Sequence, residues 1–192
     1  MFTNLAIFAS GNGSNAENIY HYFSANPSIK INLLLTNNKN AKVIDRFRQY
    51  NVPIVIIDNS LANNGTFLIN ICNAFCIDMI ILSGYLRTIP ESLIEKYPNK
   101  ILNIHPALLP KYGGKGMYGA KVHEAVIANN EKYSGITIHI VNQNYDAGEI
   151  IFQHNINVEK TDTPDSLAEK IHKLEYEFYP KIIEEYIKSL AK

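Results

Sequence analysis

The chain has 192 residues, 46% of them hydrophobic, enough to bury a substantial core without disulfide or metal staples. Its 18 basic residues are balanced by 18 acidic ones, so no global field draws it to nucleic acid or to an anionic membrane surface, and an anionic ligand must be held by local groups. No apolar run approaches the ~18 residues that a membrane-spanning helix needs. The opening apolar run at Leu5 is too short for a secretory signal and lacks a basic segment before it. The expectation is a soluble, cytoplasmic chain with one folding domain over residues 1–192.

The elements follow in alternation. Leu5 to Ala9 is an apolar run that ends in Ser10-Gly11-Asn12-Gly13, and Asn15 to Phe23 has helical character: strand, glycine turn, helix. Further apolar runs at Ile31 to Leu35, Ile54 to Ile57, Met79 to Leu82 and Ile101 to Ile104 are separated by helical stretches such as Ala41 to Tyr50 and Phe67 to Phe75. Runs without polar alternation point to strands buried on both faces of a parallel sheet. Cys72 and Cys76, the only two cysteines, lie one helical turn apart in an apolar stretch and read as two buried thiols. Gly135 to Val141 then alternates and is followed closely by Ile150 to Ile156, which predicts an antiparallel hairpin. Thr163 as N-cap and Pro164 at the first helical position open a last helix over about 163–190, which Pro180 should kink or split. The fold class expected is α/β: an open, mostly parallel, doubly wound, Rossmann-like sheet with a late antiparallel hairpin and a long C-terminal helix.

Two segments carry chemistry. In Ser10-Gly11-Asn12-Gly13-Ser14-Asn15 the handover from strand to helix aims backbone N–H groups and a helix dipole at a possible anion. Ser14 with Glu17 also matches a capping box, which would use the same donors internally. Ala16 stands where a dinucleotide fingerprint has its third glycine, so three readings are open: a phosphate cradle, a capped helix start and a dinucleotide site. The second segment is Asn103-Ile104-His105-Pro106. A spacing of two puts both polar side chains on one face at a strand's carboxyl end, and the prolines after them stiffen the loop. A carboxamide and an imidazole there suit acyl transfer, the amide donating to an oxygen that gains charge and the ring donating or relaying a proton. The alternative is a pair of turn or core residues satisfied by backbone. Asp146, in the turn between the two late strands, could complete the group and would raise the histidine's pKa. His139, between Ile138 and Ile140, reads as a residue on the less apolar face of its strand. No His-x-x-x-His or Cys-x-x-Cys spacing occurs, and no metal is expected.

These segments, with Pro106-Ala107-Leu108-Leu109-Pro110 and Tyr145-Asp146-Ala147-Gly148, occur in the order that characterises the glycinamide ribonucleotide formyltransferases, which the chain resembles over nearly its whole length. The Asn-x-His-Pro-x-Leu-Leu-Pro segment is shared with a wider set of folate-dependent formyltransferases and deformylases, so it implies the reaction class; the glycine turn narrows the acceptor. The resemblance implies transfer of the formyl group of 10-formyltetrahydrofolate, as co-substrate, to the amine of 5-phosphoribosylglycinamide in purine biosynthesis. Asn103, His105 and Asp146 would be catalytic, with Asn103 and a protonated His105 facing the oxyanion and Asp146 keeping the ring charged. Gly13, Ser14, Asn15, Ala16, Glu17, His172 and Glu175 would bind the ribonucleotide. Leu86, Arg87, Thr88, Ile89, Asn103, Asn142, Tyr145 and Asp146 would line the folate site. It further implies a nucleotide-binding half at about 1–100, a catalytic and folate-binding half at about 80–160, and small-molecule partners only, in a monomer or homodimer.

Two departures from the family pattern matter. Asn63-Asn64-Gly65-Thr66 has no arginine where some members meet the folate's carboxylate tail. Residues 111–119, with four glycines, resemble one branch of the family and suggest a mobile lid, with a plain surface loop as the alternative. Rival readings are formyltransferases acting on methionyl-tRNA or a nucleotide sugar and a formyltetrahydrofolate hydrolase, all of which usually carry further domains, and a non-catalytic binding module, which would lack one of Asn103, His105 or Asp146.

Overall fold

A computed structural model describes residues 2–190 and divides into two compact units between Leu102 and Asn103. In chain order the first unit holds β1 (Thr3–Phe8), α1 (Ser14–Phe23), β2 (Ile29–Thr36), α2 (Lys42–Phe47), β3 (Ile54–Ile56), α3 (Asn59–Ala62), α4 (Gly65–Ala74), β4 (Met79–Leu82) and α5 (Glu91–Lys96). Its strands run in the order β3-β2-β1-β4, with β1 parallel to both β2 and β4 and β2 parallel to β3. Leu5 to Phe8 pair with Met79 to Leu82 in register, and all eight side chains are buried. Their unbroken apolar character follows from covering on both sheet faces. Asp58 caps α3 by accepting from the Leu61 N–H at 2.8 Å, and Asn64 caps α4 by accepting from the Phe67 N–H at 3.0 Å. Cys72 is buried in α4, but Cys76 is exposed just beyond it, at φ 51°. The helix ends at Ala74, so the one-turn spacing that predicted two buried thiols does not extend to Cys76.

The second unit starts within β5 (Ile101–His105) and continues through α6 (Ala120–Ala128), β6 (Tyr133–Ile140), β7 (Ile150–Asn157) and α7 (Pro164–Leu190), with strand order β5-β6-β7. β6 and β7 form the expected antiparallel hairpin, and its register slips between Ile138 and His139. β7 alternates in burial, whereas β6 is buried from Ser134 to Ile140, because α7 packs on β6. Thr163 caps α7 as predicted: its Oγ1 accepts from the Ser166 N–H at 3.2 Å, while Ser166 Oγ accepts from the Thr163 N–H at 3.0 Å. Pro180 does not split α7, which runs unbroken from Pro164 to Leu190. Tyr179, Ile182 and Ile183 around it are buried, so packing offsets the hydrogen bond the proline cannot donate.

Candidate active site

Asn103 and His105 project from β5, and the loop after them is pinned from β6 and β7. Thr137 Oγ1 donates to the Ala107 carbonyl at 2.6 Å and accepts from the Leu109 N–H at 3.0 Å, while Gln153 Nε2 donates to the Leu109 carbonyl at 2.9 Å. His105 is 4% exposed, and its Nε2 lies 2.7 Å from the Tyr112 carbonyl, which can only accept, so Nε2 carries a proton. Its Nδ1 faces Asp146 Oδ2 at 3.6 Å, an ion-pair distance rather than a hydrogen bond. Burial is the largest influence on this ring and outweighs the attraction of Asp146, so the pKa is lowered. Asp146 does pull the ring toward the imidazolium, as expected, but burial acts more strongly in the opposite direction.

Asp146 sits at φ 51° in the loop between β6 and β7. Asn142 shapes that loop by accepting from the Asn144 N–H at 2.9 Å and donating to the Ala147 carbonyl at 3.1 Å. Gly148 is required there, because a Cβ would stand 1.7 Å from the Ile140 carbonyl oxygen. Asp146 Oδ2 accepts the Gly114 N–H at 2.9 Å. Burial pushes the Asp146 carboxyl up, but the His139 ring, the Gly114 N–H and the neighbouring His105 ring outweigh it and hold the group below the ordinary value. Gly114 and Gly116 both have positive φ, so the glycines of residues 111–119 serve backbone shape, and one of them anchors the aspartate.

His139 was missed as a site residue. It lies on the less apolar face of β6, as expected, but that face is covered and the ring is 2% exposed. Its Nδ1 donates to the Ile140 carbonyl at 3.0 Å, so in the neutral ring Nε2 is free to accept from Asn103 Nδ2 at 3.1 Å. The same Nε2 lies 3.6 Å from Asp146 Oδ1. His139 thus orients the Asn103 amide and leaves that amide's second N–H for another acceptor. Alternate polar residues on β6, Thr137 and His139, echo the spacing of Asn103 and His105 on β5, and that repeat was the available signal. Also in this unit, His172 Nδ1 donates to Glu175 Oε2 at 2.9 Å, and that bond is the main reason the His172 pKa is raised. Tyr145 is exposed.

The glycine turn belongs to the first unit. Gly13 is the N-cap of α1 in the left-handed region at φ 74°, and a Cβ there would stand 2.3 Å from Val43 Cγ2. No side chain caps α1. The capping box that Ser14 and Glu17 match is absent, because the helix starts one residue earlier than that motif requires, with Gly13 as N-cap, and the Glu17 carboxylate is bound by Arg46 and Tyr50. The N–H groups of Ser14, Asn15 and Ala16 form the uncapped first turn, the arrangement that receives anions. Ser10 Oγ, which donates to Asn37 Oδ1 at 2.6 Å, accepts from the Leu86 N–H at 2.9 Å and so ties the turn to residues 86–89. In that segment Leu86 is exposed, Ile89 is buried, and Arg87 reaches Asn63 Oδ1 at 3.4 Å. Among the described residues no group of three or more His, Cys, Asp and Glu is placed to hold a metal ion, and no helix is long and apolar enough to cross a membrane.

This arrangement has known counterparts. Residues 3–183 match the family model described as formyl transferase. The chain belongs to the formyl transferase family. Within it, a chloroplastic phosphoribosylglycinamide formyltransferase of Arabidopsis thaliana is 40% identical across 96% of this chain, which spans only 66% of that relative's length. The phosphoribosylglycinamide formyltransferase of Bacillus subtilis (strain 168) is 35% identical across 95% of this chain and 93% of its own. A crystal structure of the Bacillus halodurans enzyme of the same name superposes with a TM-score of 0.86 at 34% identity, covering 99% of this chain and 96% of its own. The formyl transferase fold is thus the mostly parallel α/β sheet with a late hairpin and a long C-terminal helix that the sequence predicts.

Proposed function

We propose that this chain transfers the formyl group of 10-formyltetrahydrofolate to the amine of 5-phosphoribosylglycinamide, as a cytoplasmic monomer or homodimer. The observation that carries the reading is the grouping of buried His105 with half-buried Asn103 and Asp146, each held from outside the group, as a preorganised acyl-transfer site requires. The uncapped turn at residues 13–16 supports a phosphorylated acceptor. His172 and Glu175 would take a polar part of the same ribonucleotide. Residues 86–89 with Asn142 and Tyr145 would serve the folate.

In this mechanism the glycinamide nitrogen attacks the formyl carbon, a carbon–nitrogen bond forms, and the carbonyl oxygen takes the negative charge. Asn103 donates its second amide N–H to that oxygen. Burial favours the neutral form of His105, and the developing oxyanion together with Asp146 offsets it, so the ring takes the proton that the attacking nitrogen loses as the oxyanion forms. The carbonyl re-forms as the bond to the folate nitrogen breaks. That nitrogen takes up a proton in place of the one the product nitrogen has lost, with Asp146 ordering the exchange. If Nε2 is the nitrogen that serves the substrate, its bond to the Tyr112 carbonyl opens first, and residues 111–119 would act as a lid.

Folate absorbance followed with purified protein tests the reading. Release of tetrahydrofolate that depends on added phosphoribosylglycinamide is the expected result. Release without the amine would indicate a hydrolase, and no release in either case would mark a binding module.

A further inference from the structure

The shape of the glycine turn is imposed from outside it. Arg46, on α2, spends its whole guanidinium there: Nε donates to the Asn12 carbonyl at 2.9 Å, Nη2 to Asn12 Oδ1 at 3.2 Å, and Nη1 to Glu17 Oε2 at 2.5 Å. The Val43 N–H adds a bond to the Gly11 carbonyl at 3.2 Å. The other Glu17 oxygen receives the Tyr50 hydroxyl at 3.0 Å, and that phenol lies 2.9 Å from His21 Nε2 and stacks on Tyr20. Only a planar, forked donor set can hold a backbone carbonyl, an amide and a carboxylate at once, which an ammonium does less well. The contact also has an electrostatic side. Glu17 is acidic in the first turn of α1, and its carboxylate would repel an anion at that turn unless a cation paired with it.

We infer that Arg46 is a positioning residue for acceptor binding: without touching substrate, it fixes Asn12 so that the N–H groups of the turn converge, and it neutralises Glu17 beside the phosphate. This rests on the reading of the turn as the phosphate cradle. The test measures kcat, both KM values and inhibition by inorganic phosphate for the full chain and for Arg46→Met, Arg46→Lys and Ser14→Asp. Ser14→Asp is compatible with a helix start and sets a negative charge in the turn, so it reports directly on the cradle. Arg46→Met is expected to raise the KM for phosphoribosylglycinamide about tenfold, the effect typical of losing a residue that orients ligand-binding groups. Phosphate inhibition should weaken by a similar factor, with kcat and the folate KM nearly unchanged. Arg46→Lys should fall between, and it carries the test if the methionine variant fails to fold.

If Arg46→Met and Arg46→Lys leave that KM at the wild-type value while Ser14→Asp raises it, the inference fails and the cradle stands. If Ser14→Asp leaves it unchanged, the cradle fails and the inference with it. Equal changes in kcat or in the folate KM would show a general structural role and overturn the inference.

Discussion

His105 and Asp146 lie 3.6 Å apart, and burial acts differently on the two: the ring is pushed toward its neutral form, while the carboxyl keeps its charge through surrounding donors. If turnover needs the ring protonated when the oxyanion forms, Asp146→Asn should lower kcat by ~10²–10³ and move the alkaline limb of the kcat–pH profile to lower pH, because the influence raising the His105 pKa is gone. A profile displaced to higher pH would contradict this. His123 gives a separate prediction about stability. It is 3% exposed, its Nδ1 has no partner, and burial lowers its pKa to about 4. A depressed folded-state pKa means the unfolded chain binds the proton more readily, so stability is whole above pH 6.5 and is lost as pH falls toward 4. The loss should be on the order of 3 kcal/mol, and His123→Phe should flatten that part of a chemical-denaturation series measured against pH. Equal slopes in both proteins would refute it. At this scale the period of two made Asn103 and His105 legible, since both lie on one strand. Asp146 was legible only through family resemblance, because a loop residue's reach depends on long-range contacts. His139 was placed on the less apolar face of its strand, but its contacts were not legible, because a strand's own alternation does not say that its polar face will be covered.

Among the elements, the loop joining β6 to β7 is the most tightly constrained part of the site. It leaves a register slip at His139, passes Asp146 at positive φ and returns at Gly148 against the Ile140 carbonyl. Bulges beside sites re-aim side chains, and here the slip falls at the histidine that orients Asn103. Gly148→Ala must displace backbone, since the obstacle is not a flexible side chain. The expected result is a loss of about 1–3 kcal/mol in urea unfolding at unchanged m-value, with a larger proportional fall in kcat than Ala substitution at exposed Tyr145. A fully active, fully stable variant would show that the loop tolerates displacement. Strands were legible as apolar runs because burial on both faces removes polar residues from them. Helix starts were legible where a side chain caps, as at Thr163, and left open at Ser14, where the cap is a left-handed glycine and the acidic partner serves Arg46.

At the scale of the whole molecule, 18 basic and 18 acidic residues cancel, so attraction of an anionic acceptor cannot come from a long-range field. The α/β class was readable from the alternation of elements along the chain, but the separate compactness of residues on either side of Leu102 was not, because it depends on which contacts each segment forms. The charge balance has a kinetic consequence. Backbone N–H groups at the start of α1 and a few close partners would hold the phosphate at short range, where mobile ions screen weakly, whereas steering by a charged surface falls steeply with salt. The KM for phosphoribosylglycinamide should therefore change by less than about threefold between roughly 20 and 150 mM KCl, and the protein should pass unretained through immobilised heparin at the higher salt. A KM that climbs tenfold or more over that range, or firm retention on heparin, would reveal a basic surface acting at a distance and would move the source of acceptor affinity away from the glycine turn.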